Sequence, residues 1–180
     1  MQLTLDPVMV YEKPILANLL EKYDYEFSQY DLRDVTPLGL YGYDWLDCYW
    51  TDEHRYAFFI RADGKLAGFV MNNHHFIARN VDGEYNLSEF CVLYKYRRCG
   101  VGRFAVQELA RRFPGRWELK LHPCNLPSAA FWPRVVGEIT KGRYTALENV
   151  PGAVYDDGTP ARVFIFDVPA LPAGKTQRAP

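Results

Sequence analysis

FCVLYKYRRCGVGRFAVQELARR, residues 90–112, is the stretch around which the chain is organised. Phe90-Cys91-Val92-Leu93 is a short apolar run closed by Tyr94-Lys95, the pattern of a buried strand. A basic loop with two glycines follows, Arg97-Arg98-Cys99-Gly100-Val101-Gly102. Val101, Ala105, Leu109 and Phe113, with Val106 and Ala110 beside them, then recur at helical spacing and predict an amphipathic helix. A strand, a glycine loop and a helix start aim several backbone N–H groups at one point, which suits a phosphate or pyrophosphate. Glycine is needed because a Cβ would hold the anion off the backbone, and arginines add charge at the rim.

Several readings compete for this stretch. A P-loop requires GxxxxGK followed by Ser or Thr, and none is present. The dinucleotide pattern GxGxxA fits Gly100, Gly102 and Ala105, with Glu118 near the acidic offset. Yet charged and aromatic residues separate the glycines from the strand, and only about eighty residues follow. The pattern Arg-x-x-Gly-x-Gly (Arg97, Gly100, Gly102) fits at every position. A plain left-handed turn before a helix is the remaining alternative.

The 180 residues, 48% hydrophobic and 24% charged, predict one domain with ample core. No apolar run approaches a membrane span and no basic-then-apolar leader opens the chain, so no membrane association is expected. Cys48, Cys91, Cys99 and Cys124 are irregularly spaced without CxxC. They read as reduced thiols of a cytoplasmic protein, with neither a disulfide frame nor a metal site. A net charge of −1 argues against nucleic-acid binding. That total hides an asymmetry: residues 21–53 carry nine acids against Lys22 and Arg33, a net of −7, while residues 54–180 carry a net of +7. Either an acidic lobe attracts a cation, or these are ordinary solvated charges.

Along the chain, Leu3, Leu5, Val8 and Val10 suggest a first strand interrupted at Asp6-Pro7. Pro14 opens a helix carrying the stripe Ile15, Leu16, Leu19, Leu20, Tyr23 and Phe27. A loop over residues 31–42 precedes a short aromatic helix over 43–50. Strands over 55–61 and 65–76 meet at Asp63-Gly64, and Asp82-Gly83 turns into the strand 85–93. Pro114-Gly115 stops the central helix, a strand spans 117–121, and Pro133 is expected to kink or end a helix within Asn125–Val136. Strands at 144–147 and 162–168 close an α+β domain over residues 1–168, and residues 169–180 read as a flexible tail.

This order, with RxxGxG followed by Asn125-x-x-Ser128-x-x-Phe131-Trp132, resembles the GNAT N-acetyltransferases over most of the chain. The resemblance implies the GNAT fold, a mixed, mostly antiparallel seven-stranded sheet with about four helices and splayed central strands. It also implies acetyl-CoA as donor and acetyl transfer to an amine. Val92 and Leu93 would pair with the pantetheine arm as an added strand would. Arg97, Arg98, Cys99, Gly100, Val101 and Gly102, with Arg103 behind, would hold the pyrophosphate. Asn125 would bond the pantetheine or merely cap the next helix, and Phe131 would pack on it or be plain core.

Trp132 departs from the family's Asn-x-x-Ala-x-x-Phe-Tyr, because an indole cannot return a proton to a thiolate. Tyr144 or water is left for that task. Glu89 is the candidate general base, unless strand alternation turns it to solvent. His74, His75 and His122 read as structural. Because the acceptor site of such a fold borders the acidic excess, Glu26, Tyr41, Asp44, Asp47 and Asp52 would line a cleft for a cationic acceptor, aminoglycoside-like or polyamine-like. Tyr43 and Trp45 would stack beside Tyr41. A transferase acting on protein N-termini or lysines, and a non-catalytic acyl-CoA-binding module, are the alternatives. The aromatic content leaves room for a homodimer.

Overall fold

The structure, a computed structural model, describes residues 1–78 and 83–170. Asp82, half of one expected turn, and the tail from residue 171 lie outside the described residues. Seven strands form one sheet: β1 (Leu3–Pro7), β2 (Arg55–Ala62), β3 (Lys65–Asn73), β4 (Tyr85–Val92), β5 (Gly115–Leu121), β6 (Tyr144–Leu147) and β7 (Arg162–Val168). Their order is β1-β2-β3-β4-β5-β7-β6, antiparallel throughout except between β4 and β5. The helices are α1 (Lys13–Asp31), α2 (Cys48–Thr51), α3 (Val101–Arg112) and α4 (Leu126–Thr140).

The sheet is covered on both sides, so its inner strands are apolar at consecutive positions. Ala57, Phe59, Phe69, Met71 and Cys91 pack with Leu16, Leu19 and Leu20 of α1. Phe58, Ile60, Val70 and Leu87 face Val101, Ala105 and Leu109 of α3 and Trp132 and Val135 of α4. The β2–β3 hairpin turns at Asp63 (φ 49°) and Gly64 (φ 74°), two left-handed residues in succession as a primed turn requires.

Several expected boundaries shift. Ile15 turns to solvent although it belongs to the apolar stripe of α1. Only Cys48–Thr51 of the aromatic segment is helical. That segment is pinned by tertiary contacts: Asp47 pairs with Lys13, and Trp50 Nε1 donates to the Val8 carbonyl at 3.0 Å. Helix α4 runs through Pro133 to Thr140. An interior proline costs about 3 kcal/mol, whereas each buried Trp132, Val135 or Val136 side chain returns roughly 1.5–3 kcal/mol, so packing wins.

Two features open the sheet at its centre. The parallel β4–β5 pairing covers only Tyr85↔Trp117, Asn86↔Glu118 and Leu87↔Leu119, after which the strands part. At the same level β4 is irregular against β3: Met71 pairs with Glu89 and Asn72 with Leu87, leaving Ser88 as the extra residue. A bulge of this kind bends its strand and re-aims the next side chain, here Glu89. Fully buried Glu118 holds the closed end, accepting N–H bonds from Ile77, Ala78 and Asn86 Nδ2, each at 2.8 Å. A carboxylate committed in this way cannot hold a ribose hydroxyl, which removes the dinucleotide reading of the glycine loop.

Candidate active site

A cleft of about 960 Å³ occupies the gap between β4 and β5, with α1, the glycine loop, α4 and the β6–β7 loop as its walls. Strand alternation gives it two sides. Phe90 and Val92 pack toward α3 and α4, while Glu89 and Cys91 turn toward α1.

On the α3/α4 side the loop conformation is set by Arg98 (φ 59°) and Gly100 (φ 81°), which caps α3 without a side-chain bond. Phe104 N–H donates to Gly100 O at 3.0 Å and opens the helical ladder, so the amides of Val101, Gly102 and Arg103 remain outside it. A Cβ on Gly102 would lie 3.2 Å from the Phe131 ring and 3.5 Å from Val92. The missing side chain therefore keeps a groove open between the loop and β4. Arg98, Arg103 and Arg134 border this end, and Arg103 is paired with Glu138 at 2.6 Å. Free amides, a helix N-terminus and arginines are groups that can hold an anion.

Not every residue expected at this end faces it. Arg97 turns away, binding Glu26 through Nη1 and Nη2 at 2.7 and 2.6 Å, donating from Nε to Val92 O at 2.7 Å, and stacking on Tyr94 at 3.9 Å. Leu93 donates its N–H to Ala67 O of β3 and packs toward α1, so the backbone groups exposed to the gap belong to Phe90 and Val92 instead. Cys99 is exposed, donating its thiol to Arg97 O at 3.3 Å, and Val101 is fully buried, contributing its amide alone. Asn125 caps α4, accepting from Ser128 N–H at 3.1 Å, and it also lines the cleft. Phe131 lines the cleft with its ring stacked 5.8 Å from Phe90.

On the α1 side Glu89 is half-buried and accepts from the Tyr43 hydroxyl at 3.2 Å and from Tyr23. Burial pushes its carboxyl up to about 7, against the opposing pull of the two tyrosine bonds and Lys120, with Asp24 adding to the rise. Burial, and then the charge of Glu89, hold the hydroxyls of Tyr23, Tyr43 and Tyr155 above their ordinary range. Asp24 is buried and pushed up to about 6 by desolvation, with Arg33 at 3.3 Å opposing. His122, 1% exposed, stacks 5.9 Å from Tyr30 and lies 4.8 Å from Tyr155.

Of the expected acceptor residues, Glu26 and Tyr43 line this cleft; Arg97 engages Glu26, and the Tyr43 hydroxyl is given to Glu89. Tyr41 holds no position in the cleft: its N–H goes to Glu21 and its hydroxyl to Ser28. Asp47 pairs with Lys13, Asp52 with Arg55 at 3.3 Å, and exposed Asp44 and Trp45 lie outside the cleft lining. Trp132 is core, and Tyr144 stacks on Phe164 at the far sheet edge. His74 stacks on His54 at 4.4 Å and His75 receives Arg55 at 2.9 Å, both away from the gap. Tyr23, Lys120, Arg134 and Tyr155 were missed as site residues. Tyr23 has a signal, lying one helical turn before Phe27 on the apolar stripe, and Lys120 has one as the cation between Leu119 and Leu121 in the strand expected over 117–121.

The sequence profile of the Acetyltransferase (GNAT) family matches residues 15–137. The chain belongs to this family and is an acyltransferase of the GNAT fold. No curated protein sequence matches it. Among solved structures, an acetyltransferase from Thermus thermophilus superposes with a TM-score of 0.65 at 16% identity, covering 93% of this chain and 97% of that one. The ribosomal-protein-S18-alanine N-acetyltransferase of Escherichia coli gives 0.57 at 13% identity over 97% and 99%. Arabidopsis thaliana NAA60 in complex with acetyl-CoA gives 0.60 at 12% identity over 93% and 99%. No helix among the described residues is long and apolar enough to cross a membrane.

Proposed function

We propose that the protein transfers the acetyl group of acetyl-CoA to the primary amine of a small acceptor. GNAT acetyltransferases use acetyl-CoA, and the α3/α4 side of the cleft fits it. Free amides at Val101–Arg103 and the side-chain-free edge of Gly102 suit a diphosphate, and the backbone of Phe90 with the Val92 N–H suits an amide-bearing arm, the Val92 carbonyl being held by Arg97. Arg98 and Arg134 add charge, Phe131 supplies an apolar wall, and Asn125 offers a side-chain amide. Acetyl-CoA supplies an acetyl thioester, whose C–S bond breaks as the amide forms and coenzyme A leaves as the thiol.

Glu89 is the base in this reading. An acceptor amine enters as ammonium and must lose a proton before its nitrogen can attack a carbonyl. A carboxyl at about 7 takes that proton more effectively than an ordinary glutamate, and Tyr23 and Tyr43 fix its orientation. Tyr155 rather than Tyr144 is the hydroxyl available to return a proton to sulfur, since it borders the cleft that Tyr144 does not reach. Of the acidic residues that suggested a polycationic acceptor, Glu26, Asp47 and Asp52 are paired with the protein's own cations and Asp44 lies outside the cleft lining, so that feature is not part of the proposal.

The observation that carries the reading is the pairing, in one cleft, of unpartnered amides on one side with a proton-accepting carboxylate on the other. Calorimetry with acetyl-CoA followed by thiol release over an amine panel tests it. Micromolar binding and amine-dependent thiol release, abolished in Glu89→Gln, are expected. No coenzyme uptake would sink it.

A further inference from the structure

The charges on the α1 side of the cleft point to a property of the acceptor. Its carboxylates are engaged: Asp24 and Asp31 share Arg33, Glu26 is bound by Arg97, and exposed Asp156 faces Arg33. Three of the aromatic faces are engaged as well, and by the protein's own cations. Arg33 sits over Phe27 at 5.7 Å, Arg97 over Tyr94 at 3.9 Å and Lys120 over Tyr155 at 4.7 Å. A second positive group on an acceptor would meet cations at these rings and carboxylates.

Among the described residues, the cation on this side of the cleft that remains without an acid is Lys120. Lys120 follows the last β4–β5 pair, so it stands on the lip of the gap. Its neighbours Leu119 and Leu121 pack toward α3 and α4, which turns Lys120 to the α1 side with Glu89. It has no carboxylate within 4.0 Å among the described residues, yet lies close enough to lower the Glu89 carboxyl's proton affinity. A donor lies near it. His122 takes Cys124 N–H on Nδ1 at 3.2 Å, so in the neutral ring the proton is on Nε2, which is buried, lacks a hydrogen-bond partner and stands 3.8 Å from Asp157. The lysine and the imidazole both border Tyr155.

We infer that the acceptor carries an anionic group beside its amine, read by Lys120 with His122, so that the substrate is an amino-acid-like zwitterion rather than a polycation. The amine goes to Glu89 and the carboxylate to the ammonium of Lys120. This rests on the transferase reading above.

The test is acetyl transfer to α-, β- and γ-amino acids, each measured against its own amide, with spermidine as the polycation, in the wild-type protein and in Lys120→Met and Lys120→Arg. The carboxylate member of at least one pair should exceed its amide in kcat/KM by about tenfold or more, through KM. Lys120→Met should erase that ratio and Lys120→Arg should keep it. The ratio is the readout because loss of the lysine's influence on Glu89 moves both members of a pair together. Amides or spermidine preferred over every amino acid would overturn the inference while leaving the transferase intact, as would a ratio that survives Lys120→Met. Failure of acetyl-CoA to bind at all would remove the transferase reading, and this inference with it.

Discussion

Arg97 and Glu26 grip each other across the cleft wall through two charge-assisted bonds of 2.7 and 2.6 Å, and the same guanidinium holds Val92 O at 2.7 Å. The pair ties α1 to the loop that follows β4, so the first arginine of RxxGxG braces the loop against the helix. Both side chains are partly exposed, which limits the contribution of their attraction to stability to about 1 kcal/mol.

Arg97→Ala and Glu26→Gln should therefore each weaken acetyl-CoA binding about 3- to 10-fold by loosening the loop. The double variant should be little worse than either single, because neighbours in one network are not additive. A double-mutant cycle by calorimetry reads this directly. Additive losses would mean that Arg97 contacts the coenzyme independently of Glu26.

Glu89 gives a pH prediction of definite sign. As a base it must be ionised, so kcat/KM for a fixed fraction of neutral amine should rise with pH and level off above about 7. Tyr43→Phe deletes a bond that favours the carboxylate, so the rise should move to higher pH. Glu89→Gln should lower kcat about 10²- to 10⁴-fold. The folded state holds this proton more tightly than the unfolded chain, so Glu89 costs stability as pH rises from about 4.5 through about 7. Glu89→Gln should consequently unfold at higher denaturant than wild type above about pH 7, by roughly 1–3 kcal/mol. Equal stability of the two proteins across that range would contradict the raised carboxyl.

What the sequence made legible was whatever is dictated locally. Gly100 and Gly102 announce a left-handed residue and a close approach, and Asn125 announces a helix cap, because each requirement is met within a few residues. Charge partners are not local. Glu26 meets Arg97 from 71 positions away, and Asp47 meets Lys13 across the first helix, so a count of acids between residues 21 and 53 could not reveal that these two are already paired. Tyr155 lies in a turn-rich loop without periodicity, and only the closing of β6 and β7 brings it to the cleft.

Tyr155→Phe and Tyr144→Phe separate the two tyrosines. Removing the Tyr155 hydroxyl should lower kcat by about 10²-fold with little change in coenzyme affinity, as expected for a lost proton donor. Tyr144→Phe, which keeps the ring stacked on Phe164 at the sheet edge, should leave both unchanged. Single-turnover measurements isolate the chemical step from thiol release. A Tyr155→Phe protein with undiminished single-turnover rate would leave the proton to solvent.

Gly102 bears on the coenzyme alone. It lies in the first turn of α3 beside the capping Gly100, and a Cβ there would come 3.2 Å from Phe131, tight enough to push the ring by a few tenths of an ångström. Gly102→Ala should raise helix propensity, which favours folding by about 1 kcal/mol, so thermal stability should change little or rise. The same methyl narrows the groove beside the free amides, and acetyl-CoA affinity should fall about tenfold or more, with Gly102→Val worse. Gly68→Ala is the converse control. Its Cβ would lie 2.1 Å from Cys91 O, forcing β3 from β4, so it should destabilise the whole fold by about 2–4 kcal/mol. A Gly102→Ala protein that folds normally and binds acetyl-CoA as tightly as wild type would show that the anion is held elsewhere than at this turn.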